Sequence, residues 1–156
     1  MIQSLMILLP EFTPIDEVVE SSTFEWNEEP SIVEWTLEKL NTTQMRITIK
    51  QYKDGIKELN GQELHEQVLS EICEIREFII HLVASLDMII SKYGLVGYRE
   101  NWSRGDFPIG RYLKLKHYSL HGTPLHVDVL NENEWNEYSK TNLEYELEIL
   151  KNLLKD

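Results

Sequence analysis

The chain has 156 residues, with 15 Lys or Arg against 27 Asp or Glu and a formal net charge of −12. That length suits one domain with its own core, and that charge repels nucleic-acid phosphates while attracting basic partners, so no nucleic-acid role is expected. A single cysteine, Cys73, excludes an intramolecular disulfide and a cysteine zinc cluster and fits a reducing, cytoplasmic setting.

The opening MIQSLMILLP is apolar but short, lacks a basic leader and a cleavage pattern, and reads as a buried strand over residues 2–9. No other segment reads as long and uncharged enough to cross a bilayer, so no membrane role is expected. Thr13-Pro14-Ile15-Asp16 supplies an N-cap, a proline at the first helical position and an acid in the first turn, predicting a short helix to about Glu20. Residues 23–26 read as a brief strand. Ser31-Ile32-Val33-Glu34 has the spacing of a capping box and predicts a helix to about Leu40. Over residues 44–52, Met45, Ile47 and Ile49 alternate with Arg46, Thr48 and Lys50, the period of a half-buried strand. Lys53-Asp54-Gly55 is a turn of the kind that favours a hairpin, and a short strand follows at about 56–59.

Asn60-Gly61-Gln62-Glu63 is a second capping box. Behind it Leu64, Val68, Ile72, Ile75, Ile79, Leu82, Leu86, Ile89 and Tyr93 recur in steps of three and four. That stripe predicts one helix about 45 Å long, amphipathic at first and then apolar nearly all round, with Gly94 as its stop. A loop rich in Arg, Trp, Asp and Gly follows over 97–110. Residues 111–120 and 124–130 read as a hairpin around Gly122, and Thr141-Asn142-Leu143-Glu144 caps a last helix with the stripe Leu143, Leu147, Leu150, Leu154. The fold expected is a single α+β domain over 1–156, a small antiparallel sheet packed against a long central helix and a C-terminal helix.

Chemistry is sparse. Arg76-x4-His81 matches the spacing of HEPN-type ribonucleases, but Ile79 inside it belongs to the core stripe and the chain also reads as β. Glu77 and His81 share a helix face, and two ligands do not make a metal site. There is no nucleophile elbow and no phosphate-binding glycine loop, so no cofactor is expected. Three histidines fall in K-H-Y-S-L-H-G-T-P-L-H-V-D. A two-residue turn would place His117 opposite Asp128 near His126, a general base with its orienter; a three-residue turn sorts polar from apolar faces better and pairs Lys116 with Asp128. The second register is the one expected.

Charge is unevenly placed. Residues 1–40 hold nine acids and one base, mixed with Phe12, Phe24, Trp26 and Trp35. Acids speed encounter, and buried aromatics supply most interface affinity. The expected function is therefore a small acidic cytoplasmic binding protein that neutralises a basic protein partner, as toxin-immunity proteins and antitoxins do. Its expected contacts are Glu25, Trp26, Glu28 and Glu29, then Trp102, Arg104 and Asp106 of the 97–110 loop. The alternatives are a hydrolase or nuclease using His117 or His126 with Asp128, and a ribonuclease using Arg76 and His81.

Overall fold

Side-chain alternation, more than any capping signal, organises the first half of the chain. The computed structural model describes residues 1–59, 62–63, 65–102, 105–133 and 136–152, with side chains at all of these except 28, 62, 63, 67, 130–133 and 136–138. The chain is α+β, with a four-stranded antiparallel sheet, a long helix and a C-terminal helix. It divides into two compact units, Met1–Phe78 and Ile79–Asp156.

The first unit is built on strands β1 (Ser21–Glu28), β2 (Ser31–Lys39), β3 (Gln44–Tyr52) and β6 (Glu66–Glu74), in the order β1-β2-β3-β6. Register puts Phe24 opposite Trp35, Trp35 opposite Ile49, and Leu37 opposite Ile47. One sheet face therefore carries Phe24, Trp26, Val33, Trp35, Leu37, Met45 and Ile47, and the other carries Thr23, Glu25, Glu34, Glu38 and Arg46. Leu37 and Met45 are fully buried. The expected helix over 31–40 is thus a central strand. Its capping-box spacing is overridden by Val33, Trp35 and Leu37 alternating with Glu34, Thr36 and Glu38, and by ladders on both sides.

The expected first strand is a helix, α1 (Ile2–Met6), continued by turns. Ile2, Leu5, Met6 and Leu9 fall at i, i+3, i+4 and i+7, and all four are buried. No helix forms after Thr13, whose hydroxyl donates to Met6 O at 2.9 Å instead of capping; Glu17 N–H closes a turn on Pro14 O. β3 forms over the expected residues. After it Lys53–Gly55 is a 3-10 turn with Asp54 and Gly55 at positive φ, and β4 (Glu58–Leu59) pairs with β5 (Gln62–Glu63). The helix expected from residue 60 begins only at Ile75: residues 66–74 are strand β6, bonded to β3 with a bulge opposite Ile49 and Lys50.

Helix α2 (Ile75–Asn101) breaks at Gly94, the expected stop, where φ 65° and ψ 177° suit glycine alone. By length and composition α2 can cross a membrane, since an 18-residue window reaches a mean hydropathy of 1.5 with 22% of it buried. The expectation that no segment qualifies is corrected to that extent. Core helices of soluble proteins meet the same test, and both the break at Gly94 and Asp87 would be costly in hydrocarbon.

In the second unit, α2 from Ile79 onward is joined by α3 (Ile109–His121) and α4 (Leu143–Asn152), with the small hairpin β7 (Asp128–Asn133) and β8 (Asn136–Lys140) between the last two. Ile79, Leu82, Val83, Leu86, Phe107, Tyr112, Leu113, Leu115 and Ile149 are buried there. The expected hairpin over 111–130 does not exist: residues 109–121 are helical, and Gly122, left-handed at φ 71°, caps them by donating to Tyr118 O. The last helix forms as expected, but its cap is Asn142, through Tyr145 N–H, and not Thr141, whose hydroxyl donates to Glu146. Leu143 and Leu147 of its expected stripe are exposed and Ile149 is buried. Leu154 lies outside the described residues.

Candidate functional site

Two constellations stand out, one in each unit. In the first, Phe24, Trp26 and Trp35 pack together on the apolar sheet face. Trp26 and Trp35 centroids are 5.0 Å apart, and Phe24 stacks on Trp35 at 5.8 Å. Trp26 stays 41% exposed although its neighbours hold it rigidly, which presents a fixed aromatic surface. It lies on β1, an edge strand whose outer backbone groups are not paired within the sheet.

The acids expected beside Trp26 are distributed differently. Glu25 lies on the opposite face, where Lys57 Nζ donates to Glu25 at 2.5 Å and to Glu34 at 2.6 Å. Hydrogen bonds to Glu25 and then Glu34 push the Lys57 ammonium's pKa up, so it stays charged. Tyr52 OH donates to the same Glu34 at 3.2 Å. Glu25 therefore already has a cation. Glu29 is exposed in the turn between β1 and β2, and position 28 ends β1. With sixteen acids and six bases, this unit has a net charge of −10, and the second unit, with eleven and nine, has −2.

In the second unit, Trp102 stacks on Tyr98 at 4.7 Å and meets Tyr93 edge-on at 5.1 Å. Tyr98 touches Phe107, and Phe107 touches Tyr112. The break at Gly94 lets the chain after it turn back and build this aromatic ladder. Trp102 is half exposed at its end. Asp106 is exposed and sits 3.5 Å from Arg99; Arg104 lies outside the described residues.

The ladder leads to the best-built polar site. Tyr112 is fully buried except that its hydroxyl reaches Asp87 Oδ1 at 2.6 Å, while Lys116 Nζ donates to Asp87 Oδ2 at 2.5 Å. Burial, then the bond to Asp87, pushes the Tyr112 phenol's pKa upward, so it remains a donor. Tyr112 and Lys116 are one helical turn apart on α3 and share the partner on α2. Close by, the Tyr145 hydroxyl of α4 lies 2.8 Å from His117 Nδ1 and 3.2 Å from His121 Nε2. Burial and the neighbouring His121 lower the His117 pKa, so its ring is neutral at pH 7. The arrangement that uses every proton has Tyr145 donating to His117 and accepting from His121. Asp87, Lys116, His121, Tyr145 and Glu148 line a cleft of about 630 Å³ walled by Met88, Leu120 and Ile149. Sequence reasoning missed this network because i, i+4 spacing carries meaning only once residues 109–121 are seen as a helix.

Neither hairpin register is realised, so the His–Asp–His face of the alternative two-residue turn is not assembled. His117 belongs to α3, and His126 Nε2 pairs instead with Asp128 at 2.8 Å on an exposed segment. Lys116 pairs with Asp87, correcting the pairing with Asp128. Arg76 and His81 are exposed and Ile79 between them is buried. Among the described residues no group of three or more His, Cys, Asp or Glu is placed to hold a metal ion. No family model matches the chain, and no curated protein or solved structure resembles it significantly.

Proposed function

We propose that the chain is a small acidic cytoplasmic binding protein that neutralises a basic protein partner, in the manner of toxin-immunity proteins and antitoxins. One observation carries the reading: a half-exposed Trp26, held in a packed aromatic trio on an edge strand, belongs to a unit of net charge −10. A rigid aromatic provides contact area at little entropic cost, and the surrounding negative field raises the encounter rate of a basic surface. Glu29 and position 28, in and beside the turn that follows Trp26, are the acids to steer the partner. Glu25, already engaged by Lys57, contributes less.

The test is kinetic. A candidate partner, sought first as the product of the neighbouring gene, is bound to the immobilised chain across a salt series. Glu28→Lys with Glu29→Lys should slow association and flatten its salt dependence, whereas Trp26→Ala should mainly speed dissociation. A complex whose on-rate ignores charge reversal at 25, 28 and 29 would overturn this reading.

A further inference from the structure

A second concavity of the Ile79–Asp156 unit lies along a different stripe of α4 from the cleft. It is a groove of about 620 Å³ walled by Ile109, Leu113, Leu125, Leu143, Leu147 and Leu150. Leu143 and Leu147 are 66% and 45% exposed, a poor arrangement for leucines with no partner. Three cations stand around the groove, Arg111, Lys114 and Lys140, and no ion pair joins any of them to another described residue. The one acid in its wall, Glu146, is bonded by the Thr141 hydroxyl. In a chain of net charge −12, an apolar groove with an unpaired basic rim calls for an acidic, leucine-bearing occupant.

The same unit supplies one. On α4 the exposed Leu143 and Leu147 are flanked by an exposed carboxylate, Glu144, which lines neither concavity. We propose that the groove receives α4 of a second copy of the chain, forming a two-fold dimer. In it the leucine stripes pack against each other, and Glu144 of each copy, flanking the stripe, meets Arg111 and Lys114 of the other. The contact is self-complementary, as a closed two-fold interface requires. With a net charge of only −2, two such units approach with little repulsion, whereas the first unit would resist its own copy. A free acyl chain fits less well, because the leucines that would sheathe it face open solvent. Two ten-residue helices make a small interface, so a weak dimer is expected. This inference does not depend on the function proposed above.

Sedimentation equilibrium of the full chain, from about 5 to 300 μM, reads the association directly. The mass should rise from 18.4 kDa towards twice that value. Leu147→Glu, at an exposed position, should leave the chain monomeric with unchanged circular dichroism. Arg111→Glu with Lys114→Glu, or Glu144→Lys, should each weaken the dimer about tenfold or more. Mixing those two charge variants should restore it, because each then meets its opposite; this arm also decides the matter should Leu147→Glu misfold. A monomer across the whole range, a dimer indifferent to Leu147→Glu, or no recovery on mixing would overturn the proposal.

Discussion

Removing the Asp87 carboxylate tests whether the second unit is organised by its buried phenol. Asp87→Ala strips the acceptor from two donors at once: Tyr112 OH at 2.6 Å and Lys116 Nζ at 2.5 Å, one on each carboxylate oxygen. The phenol suffers most. Tyr112 is fully buried, so its hydroxyl cannot turn to water, and a lost bond to a charged group is worth about 1.5–3 kcal/mol. Lys116 suffers less, because its side chain is 17% exposed and its long stem can carry the ammonium outward, adding roughly 0.5–1 kcal/mol. The expected loss is therefore about 2–4 kcal/mol. Lys116→Met keeps the stem and leaves Asp87 both its phenol and, at 23% exposure, some water, so about 0–1.5 kcal/mol is expected. Tyr112→Phe should fall between them. The assay is urea unfolding followed by far-ultraviolet circular dichroism, which reports the helices, most of which lie in this unit. A loss below about 1 kcal/mol for Asp87→Ala, or a larger loss for Lys116→Met than for Asp87→Ala, would refute the ordering and the burial argument beneath it.

Two further outcomes follow from local geometry. His117 is held neutral with its pKa below the ordinary 6.5, so between 6.5 and that lowered value the unfolded chain binds more protons than the folded one. Stability should accordingly fall as pH drops below about 6.5 towards that lowered value, and His117→Phe should reduce that slope; unfolding midpoints that respond to pH identically in both proteins would contradict a His117 ring kept neutral by burial beside His121. Gly94→Ala forces a side chain into a backbone region that glycine alone occupies freely, so despite open space around the new methyl it should destabilise by about 1–3 kcal/mol; equal or greater stability would mean that the helix runs straight through the position.

Legibility along the chain followed how many residues voted for one period. β3 was readable because six consecutive side chains, 45–50, alternate without exception, and Gly94 because a helix stop needs one residue type. β2 was not: a four-residue capping signature competed with the alternation of Val33, Trp35 and Leu37, and the decisive energy came from ladders to β1 and β3 that no local window contains. β6 failed for a related reason. Val68 and Ile72 happen to extend the stripe of Ile75 and Ile79 backwards, yet both are exposed on an edge strand, so they never belonged to that core. α3 was the costliest miss. Leu113, Leu115 and His117 fit a period of two as well as a wide helical face, and the buried set Tyr112, Leu113 and Leu115 is such a face. Misplacing it dispersed the polar network, because Tyr112, Lys116, His117 and His121 converge only at helical spacing.

The partition of charge between the units bears on both the function and the association inferred here. In the first unit the polar sheet face balances its own carboxylates locally: Arg46 meets Glu38 at 2.7 Å, and Lys57 bridges Glu25 and Glu34. Pairs this exposed contribute little stability each, but they remove those acids from the set that an incoming cation can use. What is left of the negative field comes from acids outside these pairs, including Glu29 in the turn after β1, the strand that carries Trp26. A basic partner of the kind proposed above would then meet a rigid exposed aromatic without having to break the Lys57 or Arg46 ion pairs. In the second unit Lys116 and Arg99 are paired with Asp87 and Asp106, while Arg111, Lys114 and Lys140, around the leucine groove, have no ion pair among the described residues. The proposed binding function thus rests on one unit, and the proposed association on the other.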